Sequence, residues 1–188
     1  MSYQWDVFLS YRREAPVREW VWRILAPTLR QWLPQYATPA PKVFLDVDNG
    51  IPLGSAWSQQ LEDALLTSRC LLPVFNPPYF DSDWCQTEFQ TMVERRRLSG
   101  FDAIIPVQFA DGELFPPAAK ALQWATFDTF NWYRQPSRTS RAFVEGVKVL
   151  CQAIVARSKA APAWDPTWPV VRPPPPVPPL IPLPKVGT

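Results

Sequence analysis

The sequence predicts an α/β fold, a doubly wound five-stranded parallel sheet, followed by a Pro-rich C-terminal tail. Two observations point to the sheet. Apolar runs of strand length alternate five times with amphipathic runs of helix length, the pattern of parallel strands joined by crossover helices on both faces. The length, 188 residues, suits one domain plus an extension. A third observation points to the tail: eleven of the 24 prolines fall between Pro162 and Pro184, so the alternation cannot continue there. The expected division is residues 1–158 for the domain and 159–188 for the tail.

Trp5 to Tyr11 (WDVFLSY) is an apolar run ended by Ser10 and the charged Arg12, Arg13 and Glu14, a first strand. Pro16 suits the first turn of a helix. From Val17 to Leu33 apolar residues recur at three- and four-residue steps, an amphipathic helix. Pro27 lies inside it, where it removes a backbone bond and crowds the carbonyl of Arg23, so a kink or break is expected. Lys42 to Val47 (KVFLDV) is the second strand. Asp48 to Gly54 (DNGIPLG) is loop, and Ser55 is placed to cap a helix running to about Ser68.

The third strand, with Leu71, Leu72, Val74 and Phe75, has the continuous apolarity of a strand covered on both faces. Asn76 to Ser82, with two prolines, is loop. Asp83 with Gln86 three residues on resembles a capping box, so a helix starts near Trp84. Arg95, Arg96 and Arg97 close it, where cations suit the macrodipole. The fourth strand, Ala103 to Phe109, contains Pro106 and therefore belongs at or near an edge of the sheet. Asp111 to Pro117 is loop, Ala118 to Leu122 a helical turn, and Ala125 to Phe130 the fifth strand. Thr139 or Ser140 caps a last helix, Arg141 to Arg157. Beyond it, PPPPVPPLIPLP (Pro173 to Pro184) suits only extended polyproline II. Arg172, Pro175 and Pro178 match a basic-x-x-Pro-x-x-Pro docking pattern, although such patterns arise readily in any Pro-rich run. The tail is either disordered or a docking peptide that lies along its own domain or a protein partner.

In a flavodoxin-like strand order the ligand crevice lies between the first and third strands, beyond their carboxyl ends. That brings Ser10, Arg12, Asn76, Trp84 and Glu88 into one neighbourhood, with Asp46 and Asp48 nearby. Trp84 and Glu88, four apart, share one helix face. Each residue also has an ordinary explanation. Glu88 alone is a solvated carboxylate near a helix N-terminus, Trp84 a core residue, Asp46 a turn residue and Ser10 a strand end bonded to backbone.

Composition excludes several chemistries. The chain has no histidine, which removes Ser-His-Asp and Cys-His nucleophile pairs and His-ligated zinc. Its three cysteines, Cys70, Cys85 and Cys151, have no metal spacing and fit buried reduced thiols in a cytoplasmic protein. A net charge of +2 with dispersed basic residues gives no footprint for nucleic acid. No signal-like N-terminus and no apolar run near the ~18 residues of a membrane span is present, so no membrane partner is expected.

The motifs together resemble a TIR (Toll/interleukin-1 receptor) domain of the bacterial kind over roughly residues 3 to 157. Trp5-Asp6-Val7-Phe8-Leu9-Ser10-Tyr11 is similar to the family's first box. Asp46, Gly50, Pro52, Gly54 and Trp57 follow the bacterial form of the loop after the second strand, and Asp83, Trp84, Cys85 and Glu88 follow the Ser/Asp-x-Trp-Cys-x-x-Glu motif. The animal-receptor Arg-Asp-x-x-Pro-Gly loop is absent, and the third box is represented only by Phe130-Asn131-Trp132.

The resemblance implies that Glu88 is the catalytic residue of an NAD+ glycohydrolase, cleaving the nicotinamide-ribose bond to give ADP-ribose or a cyclic ADP-ribose. Ser10, Arg12, Asp46, Trp57, Asn76 and Trp84 are the expected substrate-binding residues, NAD+ being substrate with no cofactor or metal. It also implies self-association through TIR-TIR contacts and a role as an effector or signalling enzyme in bacterial defence. A non-catalytic TIR adaptor working through TIR-TIR contacts and the tail is the alternative, because fold does not decide function. A nucleotide sensor is a third.

Overall fold

A computed structural model describes residues 2–46, 59–127 and 140–172. The elements are β1 (Trp5–Tyr11), α1 (Val17–Trp20), a π-helical turn (Val21–Leu25), α2 (Ala26–Trp32), β2 (Val43–Phe44), α3 (Gln59–Leu66), β3 (Ser68–Phe75), α4 (Asp83–Ser99), β4 (Val107–Gln108), α5 (Pro117–Lys120), β5 (Ala125–Thr126) and α6 (Arg141–Ala160). All five strands are parallel, in the order β2-β1-β3-β4-β5. The order reverses between β1 and β3, the longest ladder, where Trp5 pairs with Ser68 and Tyr11 with Val74.

Strand alternation distributes the core over the two faces. Val7, Leu9 and Tyr11 of β1, with Cys70, Leu72 and Val74 of β3, pack against α1, α2 and α6. Phe8 and the β3 residues Leu71 and Phe75 face α3 and α4, with Leu65, Tyr79, Cys85 and Phe89. Ser10 therefore points to the α4 side while its neighbour Tyr11 points to the other. The largest side chain of the first face is Trp20, fully buried with Phe109, Phe127 and Phe143 at its edges.

Several sequence expectations are corrected. The helix around Pro27 neither breaks nor ends. It widens just before the proline, where the Ala26 N–H donates to the Val21 carbonyl five residues back, so the ring finds room that an α-turn denies it. The helix after β2 stops at Leu66, because Ser68 already opens β3. The N-cap of α4 is Ser82, whose hydroxyl accepts from the Cys85 N–H at 3.4 Å. Asp83 is the first helical residue, and Gln86 bonds the Phe80 carbonyl at 2.8 Å. Pro106 immediately precedes β4, the penultimate strand, near the edge as expected. Its carbonyl still accepts from the Ala125 N–H, and its missing donor falls just before β5 begins. The second strand is only Val43–Phe44 and the fifth only Ala125–Thr126, although Val47 and residues 128–130 lie outside the described residues. Ser140 caps α6, accepting from the Phe143 N–H at 3.2 Å, and the helix runs to Ala160.

Arg95 departs most from expectation. It is 1% exposed and turns inward rather than closing its own helix. Its guanidinium donates to the Ser68 carbonyl at 2.7 Å and to the Leu65 and Leu66 carbonyls at the end of α3. It also lies 4.2 Å from the ring of Trp168, and burial lowers its pKa to about 10. Trp168 belongs to residues 161–172, which run along the α3/α4 face as a strap. The Trp164 indole N–H donates to the Leu66 carbonyl, the Val171 N–H to Thr91 Oγ1, and Arg172 pairs with Glu62 at 2.6 Å. The polyproline run from Pro173 onward lies outside the described residues.

Candidate active site

The site is built where β1 and β3 deliver their carboxyl ends to the first turns of α4. β1 supplies Ser10 and Tyr11, the turn after it Arg12 and Arg13, and β3 leads through Asn76 into a 3-10 turn, Pro77–Tyr79. The Ser82 cap then starts α4, so that Trp84 and Glu88 follow one above the other. Tyr11, Arg12, Arg13, Arg18, Trp84 and Glu88 are among the residues lining a cavity of about 520 Å³, a size that suits a small-molecule ligand.

Glu88 is a buried member of this wall, 6% exposed, which overturns the solvated-carboxylate explanation. Ser10 Oγ donates to Glu88 Oε2 at 2.5 Å, and the Tyr79 hydroxyl lies 2.7 Å from the same Ser10 oxygen. Burial raises the Glu88 carboxyl to about 8, opposed by the Ser10 hydrogen bond and by the charge of Arg13 and reinforced by Asp46. Burial also pushes Tyr79 well above its ordinary value, with Cys85 and Glu88 adding to the rise. Cys85 is raised by burial and then by Glu88, so both groups stay protonated near neutral pH.

A second layer holds the mouth. Arg13 pairs with Asp46 at 2.5 Å and its guanidinium sits 4.8 Å from the Trp84 ring centroid. Asp46 accepts a second bond from the Tyr11 hydroxyl at 2.7 Å, and Tyr11 in turn accepts from the Trp22 indole N–H. Asp46 is thus an anchored acceptor as well as a residue of a 3-10 turn. A small crevice shared by Tyr11, Arg13, Asp46 and Glu88 connects the two layers. Arg12 lies on the cavity wall and pairs with Glu14 at 2.6 Å.

The expected site residues fall into three groups. Arg12, Trp84 and Glu88 line the main cavity and Asp46 the crevice beside it. Ser10, expected to touch a ligand, is 1% exposed and sits behind Glu88 as its hydrogen-bond donor. Asn76 lines neither cavity. Its backbone carbonyl accepts from the Tyr79 N–H at 3.0 Å, and its Oδ1 has no hydrogen-bond partner among the described residues. Trp57 lies outside the described residues. Sequence reasoning missed Arg13 and Tyr79. Arg13 follows Arg12 directly in the loop after β1, and Tyr79 follows a Pro-Pro pair that masked it as ordinary loop.

The TIR domain of the Toll-related receptor TRR-2 from Hydra magnipapillata superposes with a TM-score of 0.50 at 20% identity, covering 66% of this chain and 86% of that one. At that identity the likeness speaks for the fold. The TIR domains of the activated Roq1 resistosome align at 21% identity with a TM-score of 0.42, over 81% of this chain and 84% of that one. No curated protein matches the chain. A TIR domain family model matches residues 7–139, most of the chain, from within β1 to beyond the Glu88 helix, and the protein belongs to the TIR domain family.

Proposed function

We propose that this protein cleaves the bond between nicotinamide and ribose in NAD+, with Glu88 as the catalytic carboxylate. The observation that carries the proposal is a buried carboxyl in the inner wall of a ligand-sized cavity, one helical turn from an indole in the same wall. Nicotinamide departs from its pyridinium form as a neutral molecule, taking the electrons of the C1′–N bond, so its departure needs no general acid. The demand is for a carboxylate beside the cationic ribose that remains, which is what the chemistry of glycoside cleavage requires. Water then adds at C1′ and releases a proton, giving ADP-ribose. Attack by the substrate's own adenine in place of water gives a cyclic product.

The neighbouring residues support the same substrate class. Trp84 offers a flat apolar wall for a heteroaromatic ring. Arg12, Arg13 and Arg18 all line the cavity, so guanidinium groups stand beside the place an anionic dinucleotide backbone would take. Self-association serves as the activating step. The product places the protein as an effector or signalling enzyme in defence.

The test is NAD+ consumption with product identification, comparing the protein with Glu88→Ala, each with and without a crowding agent. Glu88→Ala should lose at least about a hundredfold in rate, the scale of removing one transition-state charge partner. Equal consumption by both proteins, or none by the parent even when assembled, refutes the assignment and leaves an adaptor.

A further inference from the structure

Tyr79 is fully buried, 0% exposed, and its hydroxyl has Ser10 Oγ as its one hydrogen-bond partner among the described residues. A serine hydroxyl has a single proton. If Ser10 gave that proton to Tyr79, the phenolic proton would have no acceptor, a buried unsatisfied donor. Tyr79 must therefore donate to Ser10, and Ser10 must donate to Glu88 Oε2. Oε2 is then held as an acceptor in either protonation state of the carboxyl. A proton bound by Glu88 has to reside on Oε1, the oxygen left for the cavity that Glu88 lines.

We propose that Tyr79 is a positioning residue: acting through Ser10, it fixes the direction of the hydrogen-bond chain and presents Oε1 of Glu88, alone, to the ribose. The fold is arranged for this. The Asn76 carbonyl closes the 3-10 turn that carries Tyr79, at 3.0 Å from its N–H, and Phe75 and Phe80 pack their rings against the phenol at 5.1 and 5.3 Å. The phenol is clamped on its apolar faces and free to rotate only its proton. The charged and titratable groups around the carboxyl come from three other places: Arg13 after β1, Asp46 after β2 and Cys85 on α4. None of them hydrogen-bonds the Tyr79 hydroxyl among the described residues, although Cys85 adds to the rise of its pKa. A chain of two aligned hydroxyls also polarises the terminal donor and strengthens its bond to an ionised carboxylate.

The kinetic consequence rests on the NAD+-cleavage reading; the proton geometry does not. Both are tested on the full chain with Tyr79→Phe, which keeps the ring, and with site-specific Tyr79→3-fluorotyrosine, whose phenol donates more strongly. Titration of the Glu88 carboxyl carbon by 13C NMR should place the parent midpoint near 8. Tyr79→Phe should raise it by about half a pH unit or more, since the neutral carboxyl gains a second proton arrangement and the anion loses a polarised donor. The fluorinated variant should lower it. With NAD+ as substrate, Tyr79→Phe should reduce kcat about three- to tenfold and leave KM unchanged, the mark of an interaction used in the transition state. An unchanged titration in Tyr79→Phe, or shifts of the same sign in both variants, overturns the proposal. If Tyr79→Phe fails to fold, the fluorinated variant decides alone. If the parent consumes no NAD+, the functional reading fails and the titration still decides the hydrogen-bond direction.

Discussion

At the scale of single residues, the chemistry turns on why Glu88 keeps its proton. Burial dominates, while Arg13 is drawn away by Asp46 and the Trp84 ring. A carboxyl that titrates at 4.5 when exposed and at about 8 in the fold binds its proton more tightly in the native state. Its contribution to stability is complete below 4.5 and is lost as pH rises through 8. On the proposed NAD+-cleavage reading activity runs the other way, because only the ionised form stabilises a cationic ribose. We expect kcat/KM for NAD+ to rise with pH up to a limb near 8, since that parameter reports the free enzyme. Glu88→Gln should melt higher than the parent above about pH 8 and lose less Tm between about pH 5 and pH 9. Parallel Tm curves for the two proteins across that range would show that the carboxyl is not held neutral by the fold.

At the scale of elements, the strap of residues 161–172 behaves as part of the domain. Its Trp168 is 9% exposed and covers the Arg95 guanidinium, which in turn satisfies three carbonyls around the α3–β3 junction. Removing the indole leaves a buried cation facing a void, so Trp168→Ala should cost about 2–4 kcal/mol of folding stability. Truncation after Ala160 should cost at least as much, because it also removes the Trp164, Val171 and Arg172 bonds. Denaturant midpoints measure both, and an unchanged midpoint on truncation would mean that the strap rests on the surface without stabilising it. The widened turn before Pro27 is a second element-scale device. It keeps Trp20 and Leu25 on the same buried face as Leu29, which an abrupt break at the proline would have separated.

At the scale of the whole molecule, the crevice position follows from topology. Among the described residues the β2-β1-β3-β4-β5 order places its one reversal between the two longest strands, and the cavity opens at their carboxyl ends. If assembly completes the site, specific NAD+-cleaving activity should rise with protein concentration, and light scattering should detect assembly over the same range for the parent and for Glu88→Gln. Constant specific activity across a hundredfold dilution series would make the single chain sufficient.

Much of this protein follows from sequence alone. Five alternations determine a parallel sheet, because parallel strands need crossover helices of one hand. A four-residue step from Trp84 to Glu88 determines their shared helix face, and the two-residue period of β1 separates Ser10 from Tyr11. These are local regularities, carried by the backbone's own geometry. What only tertiary structure decided is which partners meet across long separations. Ser10 and Glu88 are 78 residues apart, Ser10 and Tyr79 69 apart, and Arg95 reaches Ser68 across 27. No period encodes such contacts, and each reverses a local expectation: a solvated glutamate becomes a neutral buried acid, a loop tyrosine its hydrogen-bond director, and a helix-closing arginine the support of another helix's end. Burial supplies the physical reason in each case, since removing water from a polar group makes its remaining partners decide its charge and its role.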